Sequence, residues 1–235
     1  MTLRLQHYLM RWPMLLPLAF ACLLFVPSAY SQKGDTIPRL PELYKQRVSQ
    51  FNQQPVTKGN IIFLGNSITQ GGNWASLLKD STVLNRGIGG DITFGVLKRL
   101  DEVIQRQPSK LFILIGINDL ANKIPVEVII ENLFTIARRV QSGSPSTAVF
   151  IQSILPVNPS FENFPKGYDV MEQIVTINQQ LQRYSSKLNY TYVDLFSSFT
   201  DSNALLDQKY ATDGLHLNQA GYQNWVATLK KLKHL

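Results

Sequence analysis

Five mainly apolar runs, separated by stretches with helical spacing of apolar residues, restrict most strongly how this chain can fold. The runs lie at residues 61–64, 82–84, 111–115, 148–151 and 190–195. A strand without polar alternation is covered on both faces, as a parallel strand between two layers of helices is. We therefore predict an α/β protein, a three-layer α/β/α, flavodoxin-like sandwich built on a five-stranded parallel sheet.

The stretches between these runs are predicted to be helices. In each of them apolar residues recur at intervals of three and four, which places them on one face of a helix. Pro125 suits the first turn of its helix, where a missing N–H costs nothing. The predicted helices cover residues 38–54, 74–79, 92–106, 125–141, 169–187 and 218–232.

The first 31 residues have the layout of a secretory signal peptide. Residues 1–11 contain Arg4 and Arg11 and no acidic residue, residues 12–27 are apolar, and small residues precede a cut after Ser31. An uncleaved membrane anchor is the less favoured alternative, because a spanning helix needs roughly 20 apolar residues and three prolines interrupt this run. We predict cleavage, an extracytoplasmic location and no stable membrane span after processing.

The processed chain is predicted to contain an N-terminal linker and helix at 32–59 and one domain at 60–235. Its chemistry is restricted, since the one cysteine, Cys22, lies in the leader and is lost with it. Of the three histidines, His7 is lost too and His234 is the second-last residue, which leaves His216 for an ordered site. We therefore expect no disulfide, no metal and no cysteine nucleophile.

The charge of the chain does not indicate a nucleic-acid partner. The formal net charge is +7, and loss of the two leader arginines reduces it to +5. The basic residues are scattered apart from a cluster at 230–234. Cations near the C-terminus of a helix interact favourably with its dipole, so this cluster is typical of a solvated helix end.

Polar and glycine-rich segments follow the predicted strands. In parallel sheets, ligands bind beyond the carboxyl ends of the strands, where the strand order reverses. We therefore expect these segments to lie close together at one edge of the sheet. They are Gly65-Asn66-Ser67 after the first strand, Asn85 to Asp91 after the second, Gly116 to Asp119 after the third, and Asp213 to Asn218 in the last loop.

Each segment alone has an ordinary structural explanation. Ser67 and Asn118 suit helix caps, and Asp213 with His216 suits a structural hydrogen-bonded pair. The GIGGD segment lacks the glycine spacing and the Gly-Lys pair of nucleotide-binding loops, so nucleotide binding is not indicated. The order Ser, Asp, His also occurs in α/β-hydrolases, but Thr69 stands where their Gly-x-Ser-x-Gly turn needs its second glycine.

Together, the segments supply what ester hydrolysis requires. Ser67 offers a hydroxyl nucleophile, His216 an imidazole to accept its proton, and Asp213 a carboxylate to orient the imidazole. The backbone N–H groups of Ser67 and Gly90 and the side-chain amide of Asn118 are candidate donors to the developing oxyanion.

The segments GNSI, GIGG, GIND and DGLHLN resemble, in order and separation, the four motif blocks of SGNH (GDSL-type) hydrolases. NRGIGGD is particularly similar to the corresponding stretch of platelet-activating-factor acetylhydrolase catalytic subunits and related bacterial acyl esterases. The resemblance spans residues 60–232. It implies a serine esterase that needs no cofactor, with Ser67 as nucleophile, Gly90 and Asn118 as oxyanion donors, and Asp213 and His216 completing the triad. One departure is Asn66, where the family has Asp.

The substrate is indicated less directly. The loop after the fourth strand carries Phe161, Phe164 and Tyr168, whose rings suit stacking on sugars or lining a small acyl slot, but equally suit packing the loop down. We take these three residues and Asn66 as candidate substrate contacts. The resemblance and the leader imply a secreted esterase that removes short acyl groups, acetyl first, from a small ester or an acylated glycan. A lysophospholipid esterase and a non-catalytic carbohydrate-binding protein are the alternatives.

Overall fold

Five parallel strands form one sheet in the order β2-β1-β3-β4-β5 in the computed structural model, which describes residues 39–235. The predicted signal peptide lies outside the described residues. The strand order reverses between β1 and β3, which is the flavodoxin-like arrangement. The predicted fold is therefore confirmed. The strands are β1 (Ile61–Gly65), β2 (Leu84–Gly87), β3 (Lys110–Leu114), β4 (Ala148–Gln152) and β5 (Thr191–Val193).

Helices flank the sheet in two groups. Helices α4, α5, α7 and α8 pack on one another, and α3, α9 and α10 form the second group. The helices are α1 (Tyr44–Gln53), α2 (Ser67–Gln70), α3 (Trp74–Leu78), α4 (Thr93–Lys98), α5 (Leu100–Gln105), α6 (Ile117–Ala121), α7 (Val126–Gly143), α8 (Met171–Tyr184), α9 (Phe196–Phe199) and α10 (Gln219–Lys231), with a 3-10 turn at Gln208–Tyr210.

A row of stacked aromatic rings crosses the centre of the sheet. Phe63, Phe112 and Phe150 are partners in register on β1, β3 and β4, so their side chains point to the same face. Ring centroids are 4.9 Å apart between Phe63 and Phe112, and 4.6 Å apart between Phe112 and Phe150. Trp74 of α3 stacks on Phe63 at 3.9 Å and meets Trp225 of α10 edge-on. These contacts attach α3 and α10 to this face.

Strand β2 lies further along the sequence than the predicted run at 82–84 and shares only Leu84 with it. It continues through Asn85 and Arg86 to Gly87, because tertiary contacts satisfy both polar side chains. The Asn85 Nδ2 lies 2.9–3.1 Å from three carbonyl oxygens of the α2–α3 segment, which share its two hydrogens. Arg86 is paired with Glu102 and lies over the Phe51 ring, with its guanidinium carbon 4.6 Å from the centroid. The last residue of the apolar run is therefore the first residue of this strand.

The predicted helix at 92–106 is interrupted at Arg99, which separates α4 from α5. Arg99 has φ −108° and ψ 10°, and its N–H lies 3.2 Å from the carbonyl oxygens of both Gly95 and Val96. This tight turn directs the Arg99 side chain into the interior, where it is paired with Asp91. The short helices α2, α6 and α9 were not predicted. Within residues 39–235, no helix is long and apolar enough to cross a membrane.

Gly87, the last residue of β2, packs closely on the α2 segment, and a substitution there tests this packing. A Cβ added there would lie 2.2 Å from the Gln70 nitrogen and 2.8 Å from the Asn66 carbonyl oxygen, both of which are backbone atoms. We expect Gly87→Ala to lower the free energy of unfolding by about 1–3 kcal/mol, measured by urea denaturation. Gly89→Ala is the matched control, since its Cβ would meet only the Gln70 Oε1 at 3.5 Å. Equal stability of the two variants would contradict this packing.

Candidate functional site

Ser67 lies directly beyond the carboxyl end of β1, as the first residue of α2. Asn66 caps this helix, because its Oδ1 accepts a hydrogen bond of 3.0 Å from the Ile68 N–H. The preceding Gly65 is closely packed, and a Cβ there would lie 2.2 Å from the Leu114 carbonyl oxygen of β3. The strand end, the cap and the helix therefore hold Ser67 at the edge of the sheet between β2 and β3.

The Asn66 side chain is fully buried, which is at odds with the predicted contact with substrate. Its Oδ1 holds α2, while its Nδ2 has no hydrogen-bond partner among residues 39–235. Asn66 thus holds the first turn of α2, which begins at Ser67. An aspartate can accept the same N–H bond, which explains why this departure from the family sequence leaves the turn intact.

A chain of hydrogen bonds joins Ser67, His216 and Asp213. The Ser67 Oγ lies 3.0 Å from His216 Nε2, and His216 Nδ1 lies 2.7 Å from Asp213 Oδ2. The other carboxylate oxygen, Oδ1, accepts the backbone N–H groups of Leu215 and His216 at 3.0 and 2.7 Å. The structure therefore brings together three residues from opposite ends of the domain, and the last loop is folded around the Asp213 carboxylate.

The charge of Asp213 determines which ring nitrogen of His216 faces it with a proton. Partial burial acts to raise the pKa of the Asp213 carboxyl, but the hydrogen bonds from His216 and Leu215 outweigh it and hold the pKa below its ordinary value. An ionised carboxylate only accepts hydrogen bonds, so His216 Nδ1 carries a proton; in the neutral imidazole this leaves Nε2 to accept from the Ser67 hydroxyl. The His216 side chain is 38% exposed, so a substrate can reach it from solvent.

Gly90 and Asn118 occupy the loops that follow β2 and β3. Gly90 has φ +73°, a left-handed conformation that glycine adopts without strain. Its N–H has no acceptor among the described residues. The Asn118 Nδ2 donates one hydrogen bond, of 2.8 Å, to the Asp91 carbonyl. Asn118 lies inside α6 and does not cap it. Gly90, through its backbone, and Asn118, through the second hydrogen on its Nδ2, therefore each have an N–H to offer to a bound anion.

A buried ion pair connects the loops that carry Ser67 and Gly90. The Arg99 Nη2 lies 2.9 Å from Asp91 Oδ2, and the two side chains are 2% and 0% exposed. The same Nη2 donates to the Gly65 carbonyl at 3.0 Å. Since the Asp91 carbonyl also accepts from Asn118, these contacts tie together the ends of β1, β2 and β3.

Asp119 forms a second buried polar cluster next to Asn118. Its carboxyl oxygens accept the Thr93 backbone N–H at 3.0 and 3.1 Å and the Thr93 hydroxyl at 2.5 Å. Burial raises the pKa of Asp119 to about 7, although the hydrogen bonds from Thr93 oppose this shift. Asp119 therefore anchors the start of α4 through Thr93 and changes its charge near neutrality.

The aromatic residues of the β4–α8 loop lie against the other loops of the site. Phe161 and Phe164 are half-buried, and each has a ring carbon 3.0–3.1 Å from where a Cβ of Gly214 would stand. The Tyr168 hydroxyl donates a hydrogen bond of 2.7 Å to Asn118 Oδ1. Phe161 and Phe164 therefore pack the loop down, as one of the two interpretations of the sequence predicted, and their contact with substrate stays a prediction.

Sequence reasoning missed the supporting residues Arg99, Asp91 and Asp119. A signal for Arg99 was present, since it stands at helical spacing from Val96 and Val103, on the face that was predicted to be buried. An arginine on an inward face requires an acidic partner. No cluster of side chains suited to holding a metal ion occurs within residues 39–235.

Comparison with known proteins decides the family. The profile of the GDSL-like Lipase/Acylhydrolase family matches residues 63–223, which include every residue of the hydrogen-bonded chain and both candidate donors. The chain belongs to this family. This acylhydrolase is accordingly a carboxylic ester hydrolase of the SGNH type.

Several relatives of this acylhydrolase are known. It is 27% identical to an arylesterase of Vibrio mimicus, over 80% of its own length and 92% of the relative's. It is 26% identical to human platelet-activating factor acetylhydrolase IB subunit alpha2, over 74% and 75% of the two chains. A solved Streptococcus pneumonia protein named for platelet activating factor is 33% identical, with a TM-score of 0.73 over 80% of this chain and 92% of that one.

The buried carboxyl of Asp119 makes the stability of this acylhydrolase dependent on pH. An unfolded aspartate titrates at 3.8 and the folded Asp119 at about 7, so the folded state holds this proton more tightly. The stabilisation is complete below pH 3.8 and is lost as the pH rises through about 7. We expect the urea-unfolding free energy to fall between about pH 5.5 and about pH 8, and to fall less in Asp119→Asn.

The control for this measurement is Asp101→Asn, which removes a negative charge from an exposed side chain paired with Arg139. It should retain the pH dependence of the parent protein. The same pH slope in Asp119→Asn as in the parent would show that Asp119 keeps an ordinary pKa.

Proposed function

We propose that this acylhydrolase cleaves short-chain acyl esters by a Ser-His-Asp mechanism with an acyl-enzyme on Ser67. The observation that supports it most strongly is the continuous chain from Ser67 Oγ through His216 to Asp213, with distances of 3.0 and 2.7 Å. These are the contacts that a serine nucleophile, its base and the group that orients the base require.

The first half-reaction forms an ester with the enzyme. The Ser67 oxygen bonds to the carbonyl carbon of the substrate while its proton passes to His216 Nε2. The Asp213 carboxylate holds the opposite ring N–H and stabilises the imidazolium. The carbon–oxygen bond to the alcohol then breaks, and His216 returns the proton to the departing oxygen. The products of this half-reaction are the free alcohol and acyl-Ser67.

Water completes the reaction by the same route. His216 takes a proton from water, the hydroxide oxygen bonds to the acyl carbon, and the proton passes to the Ser67 oxygen as the acid leaves. In both half-reactions negative charge develops on the carbonyl oxygen. We assign its donors to the N–H groups of Ser67 and Gly90 and to Asn118 Nδ2, which stand on the three neighbouring loops.

The substrate is proposed to be an O-acetyl or similar short ester, carried by a carbohydrate. Human and bacterial relatives are named for hydrolysis of acetyl and aryl esters, which supports a small acyl group. Among the described residues, the large exposed apolar side chains are Leu43, Val56, Val128, Val175 and Leu232, and none lies in the loops that carry the site. A surface that adsorbs long lipid chains requires such side chains in a contiguous patch. Secretion of the processed protein is part of the same proposal.

An ester panel tests this function. With the 4-nitrophenyl esters of acetate, butyrate and octanoate, we expect kcat/KM to decrease in that order, and acetate to be released from an acetylated oligosaccharide. Ser67→Ala should reduce turnover by about 10⁶-fold and Asp213→Asn by about 10⁴-fold, because the imidazole then lacks its orienting acceptor.

Preference for octanoate would favour a lipid as the substrate in place of an acetylated carbohydrate. So would release of fatty acid from a lysophospholipid with no release of acetate from the oligosaccharide. Retention of full activity in Ser67→Ala would contradict the mechanism. An inactive parent protein that binds the oligosaccharide would support the carbohydrate-binding alternative. Asp207→Asn, at the residue that caps the 3-10 turn, controls for the loss of an aspartate elsewhere in the segment that precedes the triad residues.

A further inference from the structure

The side-chain amide of Asn118 is held at both ends. Its Nδ2 donates to the Asp91 carbonyl at 2.8 Å, and its Oδ1 accepts from the Tyr168 hydroxyl at 2.7 Å. The amide has two hydrogens on nitrogen, so one remains for another acceptor after Asp91 is satisfied. Asn118 is 4% exposed, which leaves little room for water to replace either partner.

The orientation of this amide decides whether Asn118 helps or hinders catalysis. With Nδ2 towards the reacting carbonyl, the free N–H can stabilise the developing negative charge. After a half-turn of the amide, Oδ1 would face both that charge and the Asp91 carbonyl oxygen. The Asp91 carbonyl opposes the half-turn because it can only accept a hydrogen bond, and the Tyr168 hydroxyl secures the other end of the amide by donating to Oδ1.

We propose that Tyr168 is a positioning residue that fixes the Asn118 amide in its donating orientation. The proposal rests on the proposed function, in which Asn118 is an oxyanion donor. It gives the Tyr168 hydroxyl a role through Asn118, separate from any contact of its ring with substrate. Burial raises the pKa of Tyr168, so the hydroxyl keeps its proton throughout the working pH range.

The β4–α8 loop is built to deliver this hydroxyl. Asn158 anchors its first part, since its N–H donates to the Gly214 carbonyl at 2.8 Å and its Nδ2 donates to the Leu206 carbonyl at 2.9 Å. Phe161 and Phe164 pack against Gly214, which belongs to the loop between Asp213 and His216. The β4–α8 loop therefore contacts the loop of Asp213 and His216 through its first part and Asn118 through Tyr168.

Tyr168→Phe removes the hydroxyl and keeps the ring. We expect kcat for 4-nitrophenyl acetate to fall about tenfold with KM nearly unchanged, because the lost interaction acts only on the charge that develops in the transition state. Tyr184→Phe is the matched control. It removes a tyrosine hydroxyl at the far end of α8, where the ring packs on Phe134, and should leave kcat unchanged.

A double-mutant cycle separates positioning from a general effect on the fold. Asn118→Ala should cost about 10²- to 10³-fold in kcat, and Tyr168→Phe should cost nothing further in that background. An equal tenfold loss in both backgrounds, or a loss that appears in KM alone, would overturn the proposal. Thermal unfolding of each variant sets the assay temperature below every transition, so the cycle can be read even if a variant is less stable.

The outcomes distinguish this proposal from the proposed function. If Ser67→Ala abolishes activity while Tyr168→Phe behaves as the parent, the mechanism stands and the positioning role of Tyr168 fails. If Asn118→Ala retains full kcat, the assignment of the oxyanion donor fails and the role of Tyr168 fails with it. Loss in Asn118→Ala and Tyr168→Phe with no added loss in the double variant supports both.

Discussion

The buried ion pair between Arg99 and Asp91 is the interaction on which the arrangement of the site depends. Arg99 also donates to the Gly65 carbonyl at the end of β1, and the Asp91 carbonyl accepts from Asn118 on the loop after β3. A buried pair of charges adds little net stability, because its desolvation offsets its attraction, but it demands one geometry. In this acylhydrolase that geometry fixes three loops relative to one another, so the nucleophile and its oxyanion donors keep their separation.

The sheet and the site were predictable from the sequence to different degrees. Apolar runs revealed all five strands, because strands covered on both faces cannot carry polar side chains without partners. They failed at Asn85 and Arg86 of β2, whose polar groups are satisfied by residues far away in sequence. Contacts of that kind become visible only once the chain is folded.

The residues of the hydrogen-bonded chain were found because parallel strands place the segments that follow them at one edge of the sheet, and because these segments resemble the motif blocks of the SGNH hydrolases. The residues that hold these side chains in place were not found, because no pattern in the sequence predicts their contacts. Arg99 interrupts a helix that a periodic pattern predicts to be continuous, and the Tyr168 hydroxyl reaches Asn118 from a loop with no periodic pattern. The sequence thus predicts which side chains react, whereas the structure is needed to show what orients them.

The account rests on Ser67 becoming covalently acylated during turnover. Rapid-quench mass spectrometry of the first turnover with 4-nitrophenyl acetate tests this directly, since an activated ester acylates a serine enzyme faster than water releases it. The account predicts one acetyl group on the peptide that contains Ser67, formed at the rate of the 4-nitrophenol burst and absent from His216→Ala. Release of 4-nitrophenol at the parent rate with no acetyl on Ser67, or with acetyl on another residue, would contradict it.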